Sequence, residues 1–341
     1  MYKIIYRRYF SQLIYVWPVI LIWFGITVTA CEKAEKTIFI PPVTEPVGWT
    51  RLFVDISENL NDIYFVNDNS GWIVGENQTL ISTASADKGW SKAPVLLPLE
   101  NLRSVYFVND QVGWIVGDLS GSTISGQIAY TNNGGGYPSQ QETVENPLNA
   151  LFFVDNQLGW AAGENGLVVK TQNGGSNWIR ATPFTTNNIT DLYFLNENQG
   201  WAVTTQGGIF YTQDGSTWLQ EDSGIDSDIH AIHFIDTQGW ACGDKNTILR
   251  MESGPNGSKT WNRYTISTES VNIKWNDIFF VDVATGWVAG ESGILYKSTD
   301  GGITWTSENS NVTSNLNAIH MVSTRRGWVV GDSGVVISYT E

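Results

Sequence analysis

The dipeptide Gly-Trp returns seven times in one local setting, with its tryptophan at 72, 114, 160, 201, 240, 287 and 328. An apolar stretch precedes each copy, and a Gly-Asp or Gly-Glu pair usually begins three residues after the tryptophan. The intervals are 42, 46, 41, 39, 47 and 41 residues. Periods of about 40 to 45 residues belong to propeller blades, each a four-stranded antiparallel sheet that buries its faces only by stacking on its neighbours. Seven copies predict an all-β chain, a seven-bladed β-propeller of four-stranded antiparallel blades.

Each unit opens on a run such as Leu60 to Val66, echoed at Leu102 to Val108, Leu148 to Val154, Ile189 to Leu195, Ile229 to Ile235, Trp275 to Val281 and Leu316 to Val322. Their near-continuous apolar character suits a strand covered on both faces. The Gly-Trp strand follows, then a tight turn such as Glu164-Asn165-Gly166 or Asp332-Ser333-Gly334, whose residues tolerate positive φ, and then a third strand. The last unit, Leu316 to Glu341, stops after three strands, whereas Val47 to Leu52 resembles an outer strand without a blade. An N-terminal strand completing the last blade would close the ring and leave no long edge exposed.

The segment Ser298-Thr299-Asp300-Gly301-Gly302-Ile303-Thr304-Trp305 resembles the Asp-box of many bacterial propellers. Looser copies place Asp87, Asn133, Asn173, Asp214 and Asn256 at the position of Asp300, with Tyr137 replacing the tryptophan in one of them. In families that carry it, the box is a peripheral turn whose carboxylate takes backbone donors while the tryptophan packs beneath. That implies a structural role and no catalysis. Of 16 tryptophans, seven follow glycine in the repeat and six stand at box positions, counting Trp49 of the lone outer strand, leaving Trp17, Trp23 and Trp275. The aromatic excess is therefore assigned to blade packing, with Tyr137 as the seventh member of the box set.

Residues 1–30 have the layout of a secretory signal: Lys3, Arg7 and Arg8, then an apolar run from Leu13 to Val28, then small residues. Val28-Thr29-Ala30-Cys31 resembles the lipobox of bacterial lipoproteins, which implies a lipid anchor on Cys31. The alternative is an uncleaved membrane anchor, which Pro18 would interrupt. Residues 31–47, with three prolines, are expected to tether a propeller spanning 48–341 to a bacterial envelope membrane, at the outer membrane or on the periplasmic side. Cys242, the other cysteine, reads as a small buried hydrophobe.

The formal charge of −15 becomes −18 once the basic signal is removed. Such a surface repels phosphate backbones, so no nucleic-acid partner is expected. Much of this charge falls at one repeat position, the turn residue after Gly-Trp-x-x-Gly: Glu76, Asp118, Glu164, Asp244, Glu291 and Asp332, with Thr205 in the remaining unit. Propeller symmetry puts these turns on one face with the blade-to-blade connections, which add Glu142, Glu145, Glu221, Asp222, Asp226 and Asp228. Two readings stay open: a negative platform for a basic protein segment, or ordinary turn residues on a solvated surface.

Enzymatic signals are sparse. A sialidase clamps its substrate carboxylate with three converging arginines. Here only Arg103 heads an innermost strand, while Arg325 and Arg326 belong to the opposite face. A glycanase needs an acid and a second carboxylate at suitable separation, which the chain has in number, but its Asp-box propellers usually come in tandem. His230 and His233 lie three apart on a strand and point to opposite faces, and His233 and His320 stand where other units have Tyr or Phe. Neither a metal nor a cofactor is expected.

The combined pattern of Gly286-Trp287-Val288-Ala289-Gly290-Glu291-Ser292-Gly293-Ile294 running into Asp300 to Trp305, followed by a Leu-x-x-Ile-x-Phe strand, resembles the photosystem II stability and assembly factor family. The similarity covers roughly residues 48 to 341. It implies a seven-bladed propeller acting as a non-enzymatic assembly chaperone; photosynthetic members use a basic patch. This chain departs from that patch, with 16 basic and 34 acidic residues after the signal. The expectation is a lipid-anchored, extracytoplasmic, monomeric scaffold that binds a protein partner on its acidic face. The alternative is a glycan-binding module or a glycosidase.

Overall fold

The computed structural model describes residues 47–86, 89–95, 98–119, 121, 125–253, 259–266 and 272–341. The expected signal, Cys31, the tether up to residue 46 and the box residues Asp87 and Asn256 lie outside the described residues.

Seven four-stranded antiparallel sheets follow one another around a ring. Their innermost strands are Leu60–Phe65, Leu99–Phe107, Leu148–Phe153, Ile189–Phe194, Ile229–Ile235, Trp275–Phe280 and Leu316–Ser323. Blades 1 to 6 run in chain order from the innermost strand outwards. Blade 7 takes its outer strand from the other end of the chain: Gly48–Arg51 pairs antiparallel with Val335–Thr340 in the register Trp49↔Tyr339 and Arg51↔Ile337. Closure is therefore the one expected from the incomplete last repeat.

The Gly-Trp signature has a packing cause. The phenylalanine ending each innermost strand lies over the glycine of its own blade and stacks on the tryptophan of the preceding blade. Ring centroids are 3.6 Å apart for Phe65 and Trp328, 3.5 Å for Phe107 and Trp72, 3.6 Å for Phe153 and Trp114, and 3.7 Å for Phe280 and Trp240. Phe194 on Trp160 and Phe234 on Trp201 repeat the contact, and blade 7 replaces the ring with Met321 beside Trp287. A Cβ on Gly71, Gly113, Gly159 or Gly286 would stand 2.5 Å from that ring, so only glycine fits before the tryptophan.

The boxes are turns, as their resemblance implied. Asp300 Oδ1 accepts the backbone N–H of Ile303 and Thr304 at 3.1 and 2.8 Å and the Ser298 hydroxyl at 2.9 Å. Asp214 takes Ser216 and Thr217 N–H in the same way, and these bonds hold its carboxyl down at about 2. Asn173 accepts from Thr171 and Asn177, and Asn133 from Thr131. Tyr137 is a correction: it is 66% exposed with φ of 45°, so it packs under nothing and does not complete the tryptophan set. Asn133-Gly134-Gly135-Gly136 keeps the two positive-φ glycines and the turn length of Asn173 to Trp178, so buried Pro138 stands at the tryptophan position and Tyr137 falls one residue before it. Cys242 is buried, and burial pushes its thiol well above the usual range.

Candidate binding face and axial channel

The turn between second and third strands is positioned by backbone. The N–H of Glu76 donates to Asn59 O, Glu164 to Pro147 O, Asp244 to Asp228 O, Glu291 to Lys274 O and Asp332 to Asn315 O, each at 2.9 to 3.1 Å. The next residue adopts the left-handed region, as at Asn165, Gln206, Ser292 and Ser333 with φ of 55° to 61°. Its N–H then donates across the seam to the next blade: Asn165 to Asn188, Gln206 to Asp228, Ser292 to Asn315 and Ser333 to Asn59, at 2.9 to 3.0 Å. Five of the six acidic positions thus belong to anchored turns on one face, here the upper face; Asp118, expected in such a turn, lies instead within the second strand of blade 2, Gly113–Leu119, paired with Gly126.

Their electrostatic settings differ. Asp118 is only 9% exposed and is forked by Arg103, with Nε to Oδ1 at 2.9 Å and Nη2 to Oδ2 at 3.0 Å. Arg103 also reaches Glu164 at 3.5 Å. Asp244 pairs with His230 Nε2 at 2.8 Å, and Asp332 accepts from the amides of Asn315 and Asn317 at 2.8 Å. Glu76 and Glu291 have no side-chain partner among the described residues. Most acids of the connections have local work: Glu221 accepts from Trp261 Nε1, Asp222 from Gly224 N–H, Asp226 faces Lys245, and Glu145 pairs with Arg180.

The lower face carries a second set of acids that the sequence reading passed over. The turns from first to second strands hold Asp68, Asp110, Asp155, Glu197, Asp236 and Asp282, with Arg325 and Arg326 in blade 7. Their leading residues Asn67, Asn109, Asp155, Asn196 and Asp282 each cap two N–H groups further along, at 2.7 to 3.0 Å. An Asn or Asp five residues before the tryptophan in five of the seven units was the available signal.

Between the faces runs an axial channel, also missed, built in tiers by the innermost strands. At its mouth stand Asn61, Arg103, Asn149, Thr190, His230, Asn276 and Asn317, one from each blade. Four of them donate their amide to a carbonyl of the next blade: Asn61 to Leu102, Asn149 to Ile189, Asn276 to Leu316 and, across the closure, Asn317 to Leu60, at 2.8 to 2.9 Å. Thr190 Oγ1 does the same to Ile229. The residues after Asn61, Thr190 and Asn276 are Asp62, Asp191 and Asp277. Each carboxyl accepts its own strand's next N–H and one from the following blade: Val105, Ile232 and Ile319, at 2.8 to 2.9 Å. The next tier is a closed ring of Tyr64, Tyr106, Phe152, Tyr193, His233, Phe279 and His320, with successive centroids 4.4 to 5.2 Å apart. His233 and His320 are packing residues here, as expected, and Phe280 N–H donates to His233 Nδ1 at 3.4 Å.

Burial pushes Asp62 up to about 6, Asp191 up to about 7 and Asp277 well above the usual carboxylate range, against the pull of the backbone N–H groups. Burial also holds His233 at about 3 and His320 at about 4. The folded carboxyls bind protons more tightly than the unfolded chain, so their stabilisation is lost as pH rises towards and past 7. The histidines are the reverse: theirs is present above about 6.5 and lost as pH falls towards 3 to 4. Three carboxyls outweigh two histidines between about pH 4.5 and 6, so stability already falls there as pH rises, and only the carboxyl effect acts above about 6.5. Urea midpoints are expected to fall from pH 5 to pH 8, with a smaller fall in Asp191→Asn. An equal fall in that variant would remove the channel as its cause.

Comparison with known proteins follows the same architecture. The family model of "Photosynthesis system II assembly factor YCF48" matches residues 42–135 and 247–340, together more than half of the chain. The chain belongs to this family. Among solved structures, "YCF48 bound to D1 peptide" superposes with a TM-score of 0.73 at 22% identity, covering 88% of this chain and 97% of that one. YCF48 from Cyanidioschyzon merolae gives 0.70 at 20%, covering 86% and 98%. The WD40 propeller of Doa1 gives 0.67 at 13%, covering 86% and 98%. No curated protein matches the sequence. At these identities the structural likeness carries the fold alone. The two segments that the YCF48 family model matches contain blades 1, 6 and 7, the closure strand and the clearest box, Asp300.

Proposed function

We propose that this chain is a non-enzymatic, protein-binding assembly or stability factor of a bacterial envelope, anchored by lipid on Cys31, with its upper face as the docking surface. The observation that carries the reading is family membership, joined to a relative whose structure holds a bound peptide. The upper face supports it physically. Its turns are stapled blade to blade, so a partner meets a preorganised surface and little ordering cost falls on the propeller. Glu76, Glu291 and Asp332 face no cation, which favours a basic segment as partner.

In-cell cross-linking and affinity capture test the proposal. The wild-type protein is expected to capture a dominant protein partner, and Glu76→Gln, Glu164→Gln, Glu291→Gln and Asp332→Asn together are expected to reduce it. Asp118 and Asp244, paired with Arg103 and His230, serve as a second set. Capture of no protein by either form would overturn the scaffold reading and make glycans the next ligands to screen. Cys31→Ser should release the protein from washed membranes; retention would refute lipid as the sole anchor.

A further inference from the structure

The channel mouth is a cavity of 350 Å³ lined by Arg103, Asn149, Glu164, Asn188, Thr190, Thr205, His230, Asn276 and Asn317. What it offers a ligand follows from which hydrogen-bonding groups remain open. The strongest donors are engaged. Asn149, Asn276 and Asn317 give their amides to backbone carbonyls, Thr190 gives its hydroxyl hydrogen to Ile229, Arg103 is held by Asp118 and Asn149, and His230 Nε2 faces Asp244. The oxygens are not. The Oδ1 atoms of Asn276 and Asn317 have no partner among the described residues, and Glu164 keeps a free carboxylate oxygen. A cationic donor therefore finds several open acceptors at the mouth.

Beneath the mouth a second cavity of 240 Å³ is lined by Asp62, Asp191 and Asp277 together with the aromatic ring. No lysine or arginine lines it. Carboxyls withdrawn from water are ordinarily paired with a cation, and these three have backbone N–H groups, with the Ser104 side chain at Asp62, in place of one. Among the described residues no group of three His, Cys, Asp or Glu is placed to hold a metal ion. The aromatic side chains that line the same cavity add the attraction of their π systems for a cation.

We propose that the axial channel is a socket for one cationic side chain, a lysine ammonium or arginine guanidinium, carried on an extended segment of the partner. The proposal deepens the upper-face reading and rests on it. The stem of such a side chain passes the ring of Asn61, Asn149, Asn276 and Asn317, and its head meets the carboxyl tier. The turn acids steer the segment to the mouth, and the socket selects the residue that enters it.

The test uses the full chain and three blocked pentapeptides, Gly-Gly-Lys-Gly-Gly, Gly-Gly-Arg-Gly-Gly and Gly-Gly-Gln-Gly-Gly, followed by NMR of the His230 ring and the Asn276 and Asn317 amides. The cationic peptides are expected to shift these signals and the glutamine peptide to leave them unmoved. Asp191→Asn should weaken binding about tenfold, as loss of a charge-assisted contact would. Should Asp191→Asn fail to fold, Asn276→Lys puts the protein's own ammonium into the mouth and should abolish the shifts. Equal shifts from all three peptides, or cationic binding unchanged in both variants, would overturn the socket. Partner capture that survives both variants without peptide binding would sink the socket and leave the upper-face reading standing. Peptide binding without any captured protein would do the opposite.

Discussion

Deleting residues 48–52 is expected to destabilise the propeller by more than any single substitution at its surface and to make it aggregate. Those residues are the outer strand of blade 7 and the only covalent reason that the first and last blades stay together. Trp49 is 5% exposed, meets Tyr339 at 5.1 Å with the rings tilted by 44°, and donates its indole N–H to Glu308 of blade 6. Leu52 N–H donates to Val336 O, and Trp49 O accepts from Asn311. Truncating one buried tryptophan costs about 3–5 kcal/mol. Deletion removes that and the strand's ladder, against a total stability of roughly 5–15 kcal/mol. It also uncovers Val335–Thr340, an uncharged run of β-branched and aromatic residues that would become a sheet edge open to a second chain. Urea unfolding and light scattering of the deletion, with Trp49→Ala as the milder companion, measure this. A midpoint equal to wild type would mean that blade 7 closes without its borrowed strand.

The blade count and the closure were legible in the sequence because each rests on a pattern forced by packing. Glycine before tryptophan recurs since a ring from the neighbouring strand occupies the space a Cβ would take, and the missing fourth strand of Leu316 to Glu341 had one candidate donor. The channel was not legible for a related reason. Its tiers lie at adjacent positions of one short strand, where a bulge after Leu60, Leu148, Ile189, Ile229, Trp275 and Leu316 shifts the register. Plain alternation fails there, so Asn61 and Asp62 both serve the channel although period-two counting sends them to opposite faces. Asp62, Asp191 and Asp277 occur in three of seven units and therefore look like noise in a repeat alignment. In space they bridge blade 1 to 2, 4 to 5 and 6 to 7. Five of the acidic positions are turn residues and Asp118 is a strand residue, and the uneven pairing of the set was invisible. Arg103 and His230 lie 15 and 14 residues from the acids they neutralise, and only the sheet brings them together.

Phe280→Ala is expected to cost about 3–5 kcal/mol, read from urea or thermal unfolding. The ring is fully buried, stacked on Trp240 at 3.7 Å and 8°, and met edge-on by Trp305 at 5.9 Å and 82°. Its loss leaves a cavity between blades 5 and 6 that rigid neighbouring sheets cannot fill. Phe280→Met should cost about 1 kcal/mol, since a swap that keeps volume is tolerated and blade 7 already uses Met321 there. Gly286→Ala alone should cost about 1–3 kcal/mol, because its Cβ would stand 2.5 Å from three ring carbons held between two tryptophans. In the Phe280→Ala background that clash is absent and the new methyl enters the cavity, so the same substitution should cost almost nothing. The double-mutant cycle therefore predicts a coupling of about 1–3 kcal/mol between residues 280 and 286. Costs that add to within about 0.5 kcal/mol would show that the ring is not what excludes a side chain at the glycine. The Gly-Trp repeat would then need another physical cause, because every blade but the seventh depends on this same three-way contact.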